Sequence, residues 1–451
     1  MPVEVPKMRF RALLVILIVC IFGYLGRRFS LDDALIYARY VANALAGNGL
    51  VYNAGEHVNA LTSPLFSYLL LGVSMLLHGN VLLADYLLSC IAFTAVCLLA
   101  EWAVPYSGIL LATTEYFYST IGMETSLFLC MLMLAVLLYV KERYNWLPLV
   151  LSLLVLTRFE GGALLLVITW QLYRRNKLPK WYTLVPALAI LLLYLGANRF
   201  WYGAYLPAST SAKFLQGMSG YWGRWPFAFL HIEKLAIHFK WTLYVFVLGI
   251  IFGIVGIRKM RGTPWNEVVL PFLAILACFY VLFNIPAYFW YYAPFVFFGA
   301  LYAVSALPRT RVAYGVLLAL VALQGVTNAV HISHRVISDN YRDAGQWLAA
   351  NTAPDAKIAA CEIGTLGWYS HRYLYDIVGL TTPANAVHVA HRDEVSWFPE
   401  DHPDYVIIHM PPWGWEKPAV ASPAYELVPV QFGNITILRR KIPQPTSPGA
   451  Q

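Results

Sequence analysis

The sequence predicts a polytopic α-helical membrane protein with a small C-terminal α/β domain outside the bilayer. Three observations carry that reading. Of the 451 residues, 59% are hydrophobic and only 12% are charged, and mean hydropathy is +0.58; soluble domains are roughly a quarter charged. The apolar residues are clustered in long runs. After Val330 the texture changes, and Asp, Glu, His and Pro return at the density of a soluble domain.

The apolar runs are Met8 to Leu25, Pro64 to Leu77, Val81 to Val104, Ser126 to Val140, Thr183 to Ala197, Ala236 to Ile257, Val268 to Phe283, Tyr288 to Leu307 and Val312 to Val330. Several reach the ~20 residues that cross ~30 Å of hydrocarbon as a helix. Two further stretches are broken. Pro105 to Ile121 is too polar for a clean span, and Pro148 to Gln171 is interrupted by Thr157-Arg158-Phe159-Glu160-Gly161-Gly162. Irregular backbone at membrane depth is tolerated only where it lines a protein or water-filled cavity. The expectation is about eleven to thirteen membrane segments over residues 1–330. The basic N-terminus (Lys7, Arg9, Arg11) precedes an apolar run without a small-x-small cleavage site, so it reads as a retained first helix.

Orientation follows from the bias of Lys and Arg toward cytoplasmic loops. The clusters Lys7-Arg9-Arg11, Lys141 to Arg143, Arg174 to Lys177, Arg258 to Arg261 and Arg309 to Arg311 fall inside. The long loops 27–63 and 200–235 then lie outside with residues 331–442, followed by a disordered tail at 443–451. In the C-terminal domain, Ala356 to Cys361, Tyr405 to His409 and Ile435 to Leu438 read as short buried strands, and Arg342 to Ala350 as a helix.

The net charge of +8 is spread over topology signals between spans, and nucleic-acid binding is excluded on that ground. The six cysteines form no CxxC pair, and five of them lie in apolar runs, as apolar fillers do. His331, His334 and His371 have no metal-ligand spacing. No metal site is predicted, although outer carboxylates leave a divalent cation open.

The first outer loop carries the chemistry. Asp32 and Asp33 are adjacent carboxylates just past the first span, and Tyr37, Tyr40 and Val41 share a face if a short interfacial helix begins there. A carboxylate at the water–lipid boundary can take a proton from an acceptor hydroxyl, or stabilise oxocarbenium-like charge at an anomeric carbon. The structural alternative is an N-cap, a position Asp favours. Glu124, Arg158 and Glu160 are ionisable groups at membrane depth and so functional suspects, with a packing ion pair as the alternative. Arg158 and Lys213 are the outward cations suited to a lipid phosphate. His57 is a further loop candidate. Trp397, Trp413 and Trp415 fit either sugar stacking or core packing.

The run from Asp32 to Leu65, DDALIYARYVANALAGNGLVYNAGEHVNALTSPL, resembles the first periplasmic loop of the GT-C glycosyltransferases. It is nearest to the branch of actinobacterial terminal arabinofuranosyltransferases and type IV pilin arabinosyltransferases. Asn59-Ala60-Leu61 stands where relatives carry Gly-Tyr before the Thr. Ile121 to Ser126, Thr157 to Gly161 (Phe159 for Pro) and Tyr202 to Ser209 with Ala212-Lys213 (Ala208 for Asn) resemble further elements of that family, as does Asp376 to Thr381.

The resemblance implies a polyprenyl-phosphate-dependent glycosyltransferase of the bacterial inner membrane, acting on its periplasmic side. The donor it implies is decaprenyl- or undecaprenyl-phosphoryl arabinofuranose, and the acceptor a pilin or an envelope glycan. Asp33 and Asp32 are then catalytic, Arg158 and Lys213 hold the donor phosphate, and Glu124, Glu160, Tyr37, Arg39, His57 and Asn59 contact sugar or acceptor. A transporter or flippase of lipid-linked sugars is the rival class; it would show repeated halves, and none is visible.

Overall fold

The computed structural model describes residues 8–27, 31–228, 242–334, 340–398 and 403–441. Lys7, positions 229–235 of the second outer loop, the side chain of His334 and the tail at 443–451 lie outside the described residues.

The helices are α1 (Met8–Gly26), α2 (Asp32–Leu45), α3 (Pro64–Leu76), α4 (Val81–Ala103), α5 (Ser107–Ala112), α6 (Glu115–Tyr118), α7 (Thr125–Val140), α8 (Leu147–Thr157), α9 (Gly161–Arg174), α10 (Leu184–Tyr202), α11 (Ala208–Ser219), α12 (Thr242–Lys259), α13 (Pro264–Leu282), α14 (Ala293–Ala306) and α15 (Arg311–His334). The C-terminal domain follows as α16 (Asn340–Asn351), β1 (Lys357–Ala360), α17 (Ile363–Ser370), β2 (Tyr373–Asp376), α18 (Pro383–Ala390), β3 (Tyr405–His409), α19 (Lys417–Ala421), β4 (Tyr425–Phe432) and β5 (Ile435–Arg440).

Among the described residues, six helices are long and apolar enough to cross a membrane: Met8–Gly26, Val81–Ala103, Trp181–Tyr202, Pro264–Leu282, Phe289–Ala306 and Arg311–Ser333. Pro64–Leu76, Thr125–Val140 and Tyr144–Thr157 are apolar but shorter. The higher count read from the sequence thus includes short and broken helices. Local signals set their ends. Ser63 Oγ accepts the Phe66 amide with Pro64 in the first turn of α3, Asn80 caps α4 and Thr263 caps α13. The two interruptions are where the sequence places them: α5 and α6 are short pieces, and Arg158-Phe159-Glu160 separates α8 from α9.

The bundle has two chemically distinct ends. At one, Arg175 pairs with Glu267, Tyr139 OH donates to Glu267 at 3.3 Å, and Lys180 N donates to Asn145. At the other, Asn59 and Tyr202 tie loops 27–63 and 200–235 together, with Ala208 N donating to Asn59 O at 2.7 Å and Tyr202 OH to Leu50 O at 2.7 Å. Arg11, read as a topology signal, is buried and pairs with Glu101 at 2.8 Å. A charge at that depth needs such a partner.

The C-terminal domain is a five-stranded sheet of order β2-β1-β3-β5-β4, parallel across β2-β1-β3 and antiparallel across β3-β5-β4. The three expected strands and the helix are present within a few residues of their expected limits. The domain packs against α2, so Tyr37, Tyr40 and Val41 are buried in a core shared with Leu366 and Ile363. The sequence reading laid that face on the membrane surface; the structure covers it with protein instead.

Candidate active site

The site begins with α2, and its two aspartates part company there. Asp32 accepts the Gly364 amide at 3.0 Å and the Thr365 amide at 2.7 Å, one on each oxygen. It thereby caps α17, whose first amides have no partner within the helix. Close approach is enforced at Gly364, where a Cβ would lie 1.8 Å from Asp32 O. Two helical turns on, Arg39 donates to Gly367 O at 2.7 Å, Arg372 O at 2.6 Å, Tyr52 O at 2.8 Å and Asn53 Oδ1 at 3.0 Å. An anion at the start of α17 and a cation against its later carbonyls both complement the helix dipole. Asn53 pairs with both main-chain groups of Leu374, and Glu56 accepts from Tyr373 OH at 2.5 Å. Much of the outer-loop signature therefore docks the C-terminal domain, and Asp32 and Arg39 belong to that seam.

Asp33 is different. It is partly exposed, and no hydrogen-bond donor among the described residues reaches its carboxylate. Burial raises its pKa to about 6; Lys213 pulls it down, while Asp32 and Glu124 push it up. Lys213, on α11, makes no ion pair among the described residues, and its ammonium sits 4.2 Å from the Tyr288 ring centre. Burial lowers the affinity of Lys213 for its proton, but Tyr288 and Asp33 outweigh that and the net shift is upward. Lys213 is charged at any physiological pH.

Behind Asp33 runs a buried polar chain. Tyr37 OH donates to Glu124 Oε2 at 3.0 Å and also bonds Thr62 Oγ1. Arg158 bonds Glu124 Oε1 at 2.8 Å and Glu160 Oε1 at 2.7 Å, with its guanidinium 4.9 Å from the Tyr291 ring centre. Tyr280 OH reaches Glu160 at 3.4 Å. Two carboxylates thus saturate one guanidinium, and the triad is net negative, a poor seat for a phosphate dianion. Of the two cations expected to hold phosphate, Lys213 is the one with no carboxylate bonded to it. Gly122 makes the arrangement possible: φ is +89°, and a Cβ would lie 2.6 Å from Ala34 Cβ and 2.7 Å from Asp85 Oδ2. Only glycine lets the Glu124 turn close on α2.

Beside this chain lies a cavity of about 810 Å³. His57, Asn59, Tyr202, Ala208, Phe214 and Phe283 are among its lining residues. His57 is exposed there, whereas Asn59 is buried, with Nδ2 donating to Asn198 Oδ1 at 2.6 Å. The lining is mostly apolar, and Phe214, Phe279 and Phe283 remain exposed beside the spanning helix α13. Such a surface suits an acyl or isoprenoid chain. Among the described residues no three His, Cys, Asp or Glu side chains form a metal-ligand set.

Sequence reasoning did not single out Thr62, Tyr280, Tyr288 or Tyr291. The aromatic knot Tyr288 to Tyr292, at the start of the apolar run Tyr288 to Leu307, is the visible signal for two of them. Trp397, grouped with the sugar-stacking candidates, is core: it is 2% exposed, and its Nε1 donates to Glu394 O and Trp415 O. Trp413 is 40% exposed.

Comparison with solved structures places the fold. ArnT from Cupriavidus metallidurans, solved bound to undecaprenyl phosphate, matches over 96% of this chain and 98% of its own with a TM-score of 0.59 at 12% identity. The oligosaccharyltransferase of Archaeoglobus fulgidus, solved with a tethered acceptor peptide, matches over 90% of this chain and 69% of its own with a TM-score of 0.55 at 14% identity. The chain has the GT-C fold. Within it, a short segment is similar to the terminal β-(1→2)-arabinofuranosyltransferase of Mycobacterium tuberculosis, 53% identical over 49 residues. That segment is 11% of this chain and 8% of the curated relative, so the chain matches under a tenth of that protein's length. Residues 331–445 match a domain of unknown function (DUF8728). In this GT-C chain, that stretch is the α/β domain clamped by Asp32 and Arg39.

Proposed function

We propose that this chain is a membrane glycosyltransferase that moves a sugar, D-arabinofuranose, from a polyprenyl-phosphate carrier to an acceptor hydroxyl on the outer face of the bacterial inner membrane. The observation that carries the reading is Asp33: a carboxylate that no hydrogen-bond donor reaches among the described residues, raised to about 6 and coupled to Lys213, whose helix α11 lends Ser211 and Phe214 to the wall of the apolar cavity. A group that needs only to cap or pair would not be left in that state.

The isoprenoid lies in the cavity along Phe214, Phe279 and Phe283, with its phosphate on Lys213. Asp33 accepts the proton of the acceptor hydroxyl as that oxygen attacks the anomeric carbon. The bond from that carbon to the phosphate oxygen breaks, and the electron pair leaves on the lipid phosphate, where Lys213 stabilises the charge. The proton on Asp33 then passes to the departing phosphate or to water. The Tyr37–Glu124–Arg158–Glu160 chain holds α2, α7 and the α8–α9 break in register and keeps a negative field behind Asp33, favouring its protonation once the hydroxyl has been stripped.

The choice of arabinofuranose rests on the outer-loop resemblance and on the short match to the curated transferase. Orientation rests on the basic residues at the Arg175–Glu267 end of the bundle, facing the cytoplasm by the positive-inside rule. The test is transfer by the purified full chain from labelled polyprenyl-phosphoryl arabinofuranose. Lys213→Ala should raise the donor KM at least tenfold and lower kcat, while Lys213→Arg retains part of both. Unchanged donor kinetics in Lys213→Ala would refute the assignment. Mass spectrometry of envelope glycans and glycoproteins after gene deletion identifies the sugar.

A further inference from the structure

The C-terminal domain has a topological switch point of its own. In open α/β sheets ligands bind beyond the carboxyl ends of the parallel strands, where successive strands depart to opposite sides. Here β2 lies on one side of β1 and β3 on the other. The reversal therefore falls between the ends of β1 and β3. The chain supplies Glu362 just past β1, and His409 as the last residue of β3.

These residues are arranged as a site. His409 Nδ1 is 2.6 Å from Glu416 Oε1, and its Nε2 is 2.8 Å from Tyr341 OH. Glu416 is fixed in turn by the His409 and Trp413 amides at 2.9 and 2.8 Å. A buried carboxylate orienting an imidazole in this way sets where its other nitrogen points. That nitrogen lies 3.7 Å from Glu362 Oε2, and the Glu362 side chain is 26% exposed. Burial raises the Glu362 carboxyl to about 8; His409 pulls it down, while Asp32 and Glu416 push it up. Its carboxyl group is short of donors to the charged form.

Trp413 completes the arrangement. One face of its ring is stacked on His409, with centroids 3.7 Å apart and planes within 7°. The imidazole covers one face of the indole, and the residue is still 40% exposed. Trp413 meets Trp415 edge-on at 6.1 Å, and Trp415 stacks with Trp222 at 6.2 Å. Alongside, Tyr221 OH donates to Glu394 at 2.7 Å. The strip is thus flat, aromatic and edged with hydrogen-bonding groups. It begins at Glu362, two residues before the amides that Asp32 caps, and Asp32 is the neighbour of Asp33.

We propose that the crevice between β1 and β3 is the acceptor subsite and that the acceptor is a carbohydrate chain, one sugar ring lying on the open face of Trp413 with a hydroxyl donating to Glu362. This inference rests on the glycosyltransferase reading above and names the acceptor class that reading leaves open. A sugar offers a face of C–H bonds to an indole and a rim of hydroxyls to acids and imidazoles. A peptide that added itself to the sheet would pair with the edge strands β2 or β4 and not with β1 or β3, which are interior.

The test uses the full chain in lipid nanodiscs. A six-unit arabinofuranosyl oligosaccharide and a Ser/Thr-rich peptide of equal length are titrated by tryptophan fluorescence and saturation-transfer NMR. The oligosaccharide should bind saturably. Trp413→Ala should raise its Kd and acceptor KM at least tenfold, Trp413→Phe less, and Glu362→Gln about fivefold, the worth of one hydrogen bond. Leu427→Ser, on the far edge strand, serves as the unaffected control. Unaltered binding in a folded Trp413→Ala protein, or saturable binding of the peptide lost on that substitution, overturns the proposal. Donor consumption by the same wild-type preparation separates the two readings. Consumption without saccharide binding sinks the subsite alone; saccharide binding without consumption sinks the transferase and spares the subsite.

Discussion

Replacing Asp33 with Asn removes a charge that the fold does not stabilise. Its folded pKa of about 6 lies above the ordinary aspartate value of 3.8 because of burial. A difference of about two units corresponds to about 3 kcal/mol, and partial exposure discounts that to about 1–3 kcal/mol. The sign follows from which state holds the proton. The folded state binds it more tightly, so the penalty is absent below pH 4, develops between about 4 and 6, and is complete above that window. At pH 7.5 the Asn variant should therefore be more stable than wild type, with Tm higher by about 2–5 °C. At pH 4 the gap should close. Transfer should meanwhile fall by at least about a hundredfold, as loss of a general base does, with donor affinity retained. In wild type kcat/KM should rise as pH increases through about 6, the ascending limb of Asp33 ionisation. Thermal unfolding of detergent-solubilised protein at both pH values, beside single-turnover transfer, checks every part. An Asn variant that transfers at the wild-type rate, or one that loses stability at pH 7.5, refutes the reasoning.

Asp32→Ala leaves two α17 amides without their acceptor, and the seam should weaken by about 1–2 kcal/mol; limited proteolysis should release the C-terminal domain faster than in wild type. Arg158→Ala strands Glu124 and Glu160 in a buried setting, a loss of about 3–5 kcal/mol. Folded yield in detergent should collapse, and adding Glu124→Gln should restore part of it. Ala208→Trp fills the cavity beside Phe214 and should raise the donor KM at least tenfold while leaving Tm within about 1 °C, since surface substitutions cost little.

How much of this was legible in advance differs by element. The break at Arg158-Phe159-Glu160 and the short pieces α5 and α6 could be read from composition, because polar residues cannot interrupt an apolar run without marking irregular backbone. Strand β3 was found to the residue, since Tyr405 to His409 is a short apolar run bounded by turn residues. Strands β2 and β4 were missed; Tyr373–Asp376 is four residues long, and only pairing with β1 makes it a strand. The Asp pair was visible, but not its division of labour. Asp32 acquires its partners from residues more than three hundred positions away, and no local pattern encodes that. Arg158 looked like a phosphate ligand until Glu124 and Glu160 were found on it.

By itself the sequence determined the apolar helical bundle, the change of texture that marks the C-terminal α/β unit, and the loop that holds the Asp pair. Those follow from periodicity, run length and charge placement, which act over tens of residues. The tertiary structure alone decided which carboxylate lacks a donor among the described residues, which cation has no carboxylate bonded to it, and that Glu362, His409 and Trp413 converge at one end of the sheet. Those are questions of which groups saturate which, and only three-dimensional proximity answers them.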